Sequence, residues 1–502
     1  MCLSIDGGHI EFLLVGDARS LFLPDLSDYR RAQSRLCGLR LVHTHLGREP
    51  LTREDLTDLA LLRLDLVAAI EVTEKGQAGQ VHIAHLIPTN GNGRSWEISN
   101  PQSVQDLKPD FFDLVDDIEK AFASQVPTQR PGDKRTRAIL VHVSEKPRNL
   151  AEDSIQELED LAQSAGMHVL GKILQRRPPD PRFVMGEGRF KETLIDAMQS
   201  DAEALVFDMN LSPAQVASLS SISNMKILDR SLIILDIFAQ HAVSREGMLQ
   251  VELAQLRYML PRLGAKQRSI AFSRLTGGIG GRGPGETKLE IDKRRVKDRI
   301  ALLERQLNKL TERRRLRRQV RVEANIPTIS VVGYTNVGKS TIVNQLTGSN
   351  VSVQDALFAT LDPVSRRLRF PHEREAIVTD TVGFIRNLPE DLLDAFRATL
   401  EELHEADVLV HVLDASSKHI EEQYQLVRDM LAQLGLQDKS CINILNKTDK
   451  IDRNDLPGLC ARFQALPICA LDRRSLLPLT DALSFLLWGE KPIMSKESNV
   501  VG

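Results

Sequence analysis

Apolar residues recur with two different periods along the 502-residue chain, and the changes of period divide it into successive units. Ile10-Glu-Phe-Leu-Leu-Val and Leu39-Arg-Leu-Val-His-Thr-His read as strands, while Arg53 to Leu66 repeats at helical spacing and predicts a helix over that stretch. A polar, Pro- and Gly-bearing linker at 126–137 closes this first module, residues 1–125. From Ala138 the pattern is strand, helix, strand: Ala138-Ile-Leu-Val-His-Val, a helix from Ser154 that Gly166 ends, then Met167-His-Val-Leu. It continues with a helix from Phe190, then Ala204-Leu-Val-Phe-Asp and Lys226-Ile-Leu-Asp, which predicts a parallel sheet with crossover helices over 138–246. Beyond Gly247, Leu249, Leu253, Leu256, Leu260 and Leu263 step by four and three. Leu289, Val296, Ile300, Leu303, Leu307 and Leu310 do the same after one seven-residue step. Each stretch presents one narrow apolar seam, so 247–325 is expected to form an antiparallel helical hairpin. Its tip, Arg274 to Glu286, is glycine-rich and has too little apolar surface to pack on itself. Residues 326–490 return to buried strands and helices, and 491–502 form a tail, so the expected class is α/β multidomain.

The last unit carries the chemistry. Ile329-Ser-Val-Val runs into Gly333-Tyr-Thr-Asn336-Val337-Gly338-Lys339-Ser340-Thr341, a strand followed by a P-loop and a helix start. Gly333 and Gly338 let backbone N–H groups turn toward phosphate oxygens, Lys339 would reach the β- and γ-phosphates, and the Ser340 hydroxyl would ligate Mg²⁺. Ile377-Val-Thr-Asp380-Thr-Val-Gly383 is a strand ending in Asp-x-x-Gly, where Asp380 would hold Mg²⁺ through water and the Gly383 N–H would sense the γ-phosphate. Val408-Leu-Val-His-Val-Leu-Asp reads as the next buried strand. Ile442-Asn-Ile-Leu then leads to Asn446-Lys447-Thr-Asp449, whose carboxylate can accept two hydrogens from guanine. Adenine lacks that donor pair, and leaving a buried carboxylate unpaired rejects it. These residues predict a hydrolase acting on GTP to give GDP and phosphate.

Composition and charge add a partner. The net charge is only −3, so any nucleic-acid contact must come from a local patch. From Glu286 to Val322 there are 14 Lys/Arg against 6 Asp/Glu, a net +8, densest at Arg313-Arg314-Arg315-Leu-Arg317-Arg318. A basic helix beside a glycine-rich tip points to RNA phosphates. The five cysteines show no C-x-x-C spacing, which favours a reducing compartment, and neither a membrane span nor a signal pattern is evident.

From Ala138 to Trp488 the chain resembles HflX, a family of translation-associated GTPases in the Obg–HflX group. The matching stretches are Leu211-Ser-Pro-Ala-Gln215, Asp229 to Gln240, Gln250-Val-Glu-Leu-Ala-Gln255, the loop from Gly277 to Glu290, Phe358-Ala-Thr360-Leu-Asp-Pro and Asp380-Thr-Val-Gly-Phe384. The resemblance implies an α/β subdomain with a helical hairpin, followed by a Ras-like G domain. It also implies binding to the large ribosomal subunit, with the hairpin tip near the peptidyl-transferase region, and a role in splitting or rescuing stalled ribosomes; separately, the protein is expected to be a cytoplasmic monomer. Thr360 falls at the family's switch I threonine, which would join Ser340 on Mg²⁺. Asn336 stands where related GTPases ligate K⁺, and Cys469-Ala470 replaces the usual Ser-Ala, so the guanine O6 contact would rest on backbone N–H. Phe384 occupies the position of the water-orienting glutamine. His241 and Val216-Ala-Ser-Leu depart from the family's pattern.

Outside that span, His43-Thr-His45 followed by Thr52-x-x-Asp55 resembles the signature of the JAB/MPN metal-dependent isopeptidase group, with a gap one residue short and Thr for Ser. Alternate strand residues point the same way, so His43, His45 and Asp55 could bind one Zn²⁺, with Glu11 as the base. Two other readings therefore stay open: a G-protein switch with a protein effector, and a metal-dependent hydrolase in 1–125 regulated by GTP.

Overall fold

The computed structural model describes residues 2–4, 10–15, 36–46, 49–90, 94–107, 111–125, 135–200, 202–223, 225–263, 288–323, 326–348, 358, 364–370, 374–386 and 403–489. The chain divides into two compact units. The first is Met1–Ile155 with Gly166–Asp208 and Ala214–Leu228, and the second is Gln156–Ala165 with Met209–Pro213 and Asp229–Gly502.

The N-terminal module is a seven-stranded mixed sheet made of β1 (Cys2–Ser4), β2 (Ile10–Leu13), β3 (Arg40–His45), β4 (Leu66–Val72), β5 (Ala78–Asn90), β6 (Arg94–Ile98) and β7 (Gln102–Ser103). Its order is β2-β1-β3-β4-β5-β6, with β7 on β5. β3 and β4 run parallel, which demands a crossover, and helix α1 (Arg53–Leu62) supplies it. Thr52 starts α1 with a capping box: its Oγ1 accepts from Asp55 N, and its own N–H donates to Asp55 Oδ2 at 2.7 Å. The helix ends four residues before the expected Leu66, because Arg63 turns into the left-handed region (φ 52°). Leu62, Leu64 and Leu66 then step by two into β4, so an apolar run changes period without changing composition. Leu39, Leu41, Leu56, Leu59, Val67 and Leu86 form the core, joined by Ile118 from α2 (Phe111–Gln125). Leu59 is fully buried, and its truncation to Ala would cost about 2–5 kcal/mol.

A four-stranded sheet follows, of order β11-β10-β8-β9, from β8 (Thr136–Ser144), β9 (Met167–Arg176), β10 (Ala204–Phe207) and β11 (Lys226–Asp229). β8 pairs in parallel with β9 and β10, as the alternation predicts. The crossovers are α3 (Arg148–Ser164), α4 (Glu187–Gln199) and α5 (Pro213–Ile222). All four residues of β10 are buried, as a parallel strand covered on both faces requires. Ile195 of α4 enters the core of the N-terminal module.

After α6 (Arg230–His241) come α7 (Arg245–Met259) and α8 (Lys288–Glu323), packed along the expected seam. Leu253 and Leu256 meet Val296 and Leu303, flanked by Leu249, Leu260, Leu263, Ile300 and Leu307. Ion pairs Arg299–Glu252 and Arg257–Glu304, both at 2.7 Å, border it. The tip at 274–286 lies outside the described residues, and for Arg313 to Arg318 only the helical backbone is described.

The last sheet has the order β13-β14-β12-β15-β16-β17. Its strands are β12 (Thr328–Gly333), β13 (Val364–Arg369), β14 (Glu375–Asp380), β15 (Val408–Asp414), β16 (Cys441–Asn446) and β17 (Ala465–Pro467). All pairs are parallel except the antiparallel edge strand β13. Helices α9 (Lys339–Thr347), α10 (Ile420–Gln433), α11 (Leu456–Phe463) and α12 (Leu477–Trp488) complete this part. The earliest strand, β12, lies between β14 and β15, so the chain switches direction at its carboxyl end, where open parallel sheets bind ligands.

Candidate nucleotide-binding site

Five of the six β12 residues are buried, and the strand delivers Gly333 to the switch point. Glycine is required there because a Cβ would stand 2.5 Å from the Val412 carbonyl of β15. Gly338, at φ 94°, is required for a second reason, since a Cβ would fall on the Asn446 amide. α9 starts at the next residue, so the N–H groups of its first turn and the positive end of its dipole face the loop.

Lys339 is buried, and its Nζ donates to the carbonyls of Tyr334 at 2.7 Å and Gly333 at 3.3 Å. Burial pulls its pKa down to about 8, against the opposing pull of Asp380. The Ser340 hydroxyl donates to Asp380 Oδ2 at 2.6 Å, so the two residues expected to share Mg²⁺ already meet. An alkoxyl oxygen and a carboxylate are hard oxygen donors that suit this ion, whose charge would offset that of the phosphates when bound. Gly383 lies against the P-loop, where a Cβ would stand 2.8 Å from Lys339 Nζ and 2.9 Å from Thr335 Cα. Backbone bonds from Thr335 N to Phe384 O and from Phe384 N to Gly333 O lock this segment to the loop. The Phe384 side chain packs with Val332, Leu403 and Leu409 in the core.

On the base side, Asn446 is a strut. Its Nδ2 donates to Val337 O at 2.7 Å and its Oδ1 accepts from Ala470 N at 2.9 Å. Lys447, at φ 60°, reaches back to Asn336 O at 2.8 Å and pairs with Asp414 at 2.7 Å. Asp449 accepts from the Cys469 thiol at 3.3 Å. Cys469 N donates to the Ser475 hydroxyl, so both amides expected at guanine O6 are engaged within the protein. Thr341 follows on α9, and Thr360 lies outside the described residues.

Sequence reasoning missed a hub next to the loop. Glu157 of α3 accepts from the Tyr334 hydroxyl of the P-loop, from Arg230 of α6 at 2.8 Å and, at 3.3 Å, pairs with Arg386, three residues after Gly383. The Arg386 N–H also donates to the Tyr334 hydroxyl at 3.2 Å. Phe358, two residues before Thr360 and at φ 57°, is edge-on to Phe238 of α6 at 4.7 Å. Glu157 sits in an ordinary amphipathic helix and carries no sequence signal; Arg230, Phe238, Tyr334 and Phe358 fell in stretches already singled out, but nothing in those stretches pointed to Glu157.

In the N-terminal module, the structure brings together His43, His45 and Asp55. Glu11, expected as their base, is exposed on β2 and separated from β3 by β1, about 10 Å between backbones. Among the described residues no helix is long and apolar enough to cross a membrane.

Three family descriptions match in tandem: a GTP-binding GTPase N-terminal region over residues 152–239, a GTP-binding GTPase middle region over 241–321 and a 50S ribosome-binding GTPase over 328–447. GTPase HflX of Caldanaerobacter subterraneus is 45% identical over 63% of this chain and 74% of its own length. GTPase HflX of Lacrimispora saccharolytica is 44% identical over 72% of this chain and 85% of its own. A solved structure, a GTP-binding protein from Sulfolobus solfataricus in complex with GDP, is 25% identical over 70% of this chain and 99% of its own, with a TM-score of 0.39. A P-loop on β12, Asp-x-x-Gly after β14 and Asn-Lys-x-Asp after β16, together with relatives matched over most of their length, make this chain a member of the HflX family of GTPases.

Proposed function

We propose that this GTPase binds the large ribosomal subunit and acts in splitting or rescue of stalled ribosomes, with GTP hydrolysis timing its release. The observation that carries this reading is the pairing of a nucleotide site with α8, which holds a net charge of +8 from Glu286 to Val322 in a chain of net −3. Such a local excess serves phosphate contacts. The description matched by 328–447, a 50S ribosome-binding GTPase, supports the same partner. We assign 326–490 to nucleotide binding, 247–325 to rRNA near the peptidyl-transferase region, 138–246 to the HflX-type α/β subdomain and 1–125 to a JAB/MPN-like module. The protein works as a cytoplasmic monomer.

In the nucleotide cycle Lys339 moves from the Tyr334 carbonyl to the β- and γ-phosphates. Ser340, Asp380 and Thr360 would hold Mg²⁺, which would offset phosphate charge, while the Gly383 N–H meets the γ-phosphate and Asp449 reads guanine. Phe384 cannot orient the attacking water from the core, so turnover of the free protein is slow; Asn336 would be the residue to hold a K⁺, which would supply positive charge to the transition state, and the ribosomal partner would supply the rest. The hub at Glu157 ties the P-loop and the segment after Gly383 to α3 and α6, a route from nucleotide state to the helices preceding the hairpin.

Sucrose-gradient sedimentation with a non-hydrolysable GTP analogue tests the assignment: co-migration with 50S particles is expected, and its failure removes the reading. Neutralising Arg313, Arg314, Arg315, Arg317 and Arg318 should flatten the salt dependence of association and leave GTP affinity unchanged. A large loss of GTP affinity with intact subunit binding would reverse the roles of α8 and the P-loop.

A further inference from the structure

Outside the nucleotide site, and outside the residues matched by all three family descriptions, three metal-competent side chains converge: His43 and His45 on β3 and Asp55 in the first turn of α1. The strand places the two imidazoles on one face, because residues i and i+2 point the same way. The parallel crossover from β3 to β4 brings α1 over that face, and the capping box fixes Asp55 through Thr52 N and Thr52 Oγ1, both 2.7 Å from Oδ2. Two independent local constraints, a strand's pleat and a helix cap, thus aim three ligand atoms at one region.

The distances are those of a coordination polyhedron. His43 Nε2 lies 2.9 Å from His45 Nε2, 3.2 Å from Asp55 Oδ1, and His45 Nε2 lies 3.5 Å from Asp55 Oδ2. Four donors arranged tetrahedrally at zinc bond lengths of about 2.0–2.1 Å stand about 3.3 Å from one another. The nearest separations lie on either side of that value, so small side-chain adjustments would bring all three ligands onto one metal.

The hydrogen-bond pattern says what sign of ligand belongs there. His45 Nδ1 lies 2.9 Å from the Glu49 carbonyl, an atom that can only accept, so Nδ1 donates and the tautomer that coordinates metal is the one with its lone pair at Nε2. That lone pair faces a carboxylate and a second imidazole nitrogen. A backbone carbonyl accepting from the far ring nitrogen fixes the imidazole's orientation, as it does for metal-ligating histidines. One proton can serve only one of these close contacts at a time, whereas one divalent cation would bind both nitrogens and the carboxylate together. Two nitrogen donors and one oxygen argue against Mg²⁺ and Ca²⁺, which prefer oxygen throughout, and for a borderline cation of the zinc class.

We infer that His43, His45 and Asp55 form a Zn²⁺ site with three protein ligands and a fourth position open to an exchangeable ligand. The side chains retain 12%, 13% and 17% of their exposure, so the fourth position opens toward solvent. Three ligands plus an open position are what zinc requires to bind and polarise a water, whereas a purely structural site is closed by four protein side chains.

The test uses full-length, untagged protein. After removal of endogenous metal with a chelator and reloading with Zn²⁺, elemental analysis should give one zinc per chain, and His43→Ala and His45→Ala should each bring it below one tenth. Reloading with Co²⁺ should produce the intense visible absorption of a tetrahedral N/O site, and azide should shift that spectrum by taking the fourth position. Far-ultraviolet circular dichroism and resistance of the N-terminal module to limited proteolysis report whether each variant has folded, and if an alanine variant fails that control, His45→Gln replaces it. The inference is overturned if the wild type holds no more zinc than the double variant His43→Ala/His45→Ala. It is equally overturned if the reloaded Co²⁺ spectrum is that of the octahedral aqueous ion.

Discussion

The P-loop end of β12 and the histidine face of β3 are both polar sites set where a strand gives way to a helix, yet they gather different kinds of atoms. Around the P-loop, donors meet acceptors: Lys339 Nζ rests on two carbonyls, Ser340 donates to Asp380, and Asn446 bridges Val337 O and Ala470 N. On β3, two imidazole Nε2 nitrogens and a carboxylate, all metal-ligating atoms, converge within 4.8 Å of one another. Complementary pairing keeps a site ordered while it exchanges nucleotides, because each group has a protein partner to return to. Converging imidazole and carboxylate ligand atoms instead suit a cation between them.

The comparison is broken most forcefully at the base. Asp449→Ala removes two hydrogen bonds to a charged acceptor, each worth about 1.5–3 kcal/mol, so calorimetry should show GTP affinity falling roughly 10²- to 10⁴-fold. A loss under fivefold would mean that Asp449 does not read guanine. The next effect belongs to the hub. Glu157→Ala takes the carboxylate from Arg230, which is 1% exposed, and should destabilise the second unit by about 3 kcal/mol. Faster hydrogen exchange along α6 would report it, and unchanged protection would remove the hub from the account.

Lys339 gives a pH test with a definite sign. Its folded pKa of about 8 lies below the ordinary lysine value, so between these two values the unfolded chain binds more protons and stability rises with pH. Phosphates favour the charged ammonium, so nucleotide binding restores the proton. At pH 8.5, calorimetry in buffers of different ionisation enthalpy should show proton uptake of about half a proton or more, vanishing at pH 6.5, and affinity should weaken up to about tenfold per unit above pH 8. Proton release at pH 8.5 would contradict this. The smallest effect sharpens the separation of the two sites: stripping zinc should change GTP affinity by less than about twofold. A tenfold change would show that the sites are coupled.

The two sites also differ in how far the sequence disclosed them. The P-loop, Asp380-x-x-Gly383 and Asn446-Lys447-x-Asp449 are spaced by strands whose apolar runs are themselves readable, so motif and fold reinforced each other. The seam of α7 and α8 was legible for the same reason. The module around β3 was read only in part. The period of α1 ran on unbroken in composition past Arg63 into β4, and the 13-residue β5 lacks strict alternation. Glu157 was invisible because its partners Tyr334, Arg230 and Arg386 lie 73 or more residues away, beyond any local pattern. The backbone bonds of Cys469 and Ala470 to Ser475 and Asn446 were equally beyond it, since they depend on how β16 and the following loops pack.

The central claim is that hydrolysis waits on the ribosome, and single-turnover GTP hydrolysis measures it most directly. The rate should be slow for the protein alone in Na⁺, faster in K⁺, and fastest with purified large subunits in K⁺, by at least tenfold over the free protein. A rate that is the same in Na⁺ and K⁺, with and without large subunits, would contradict the account.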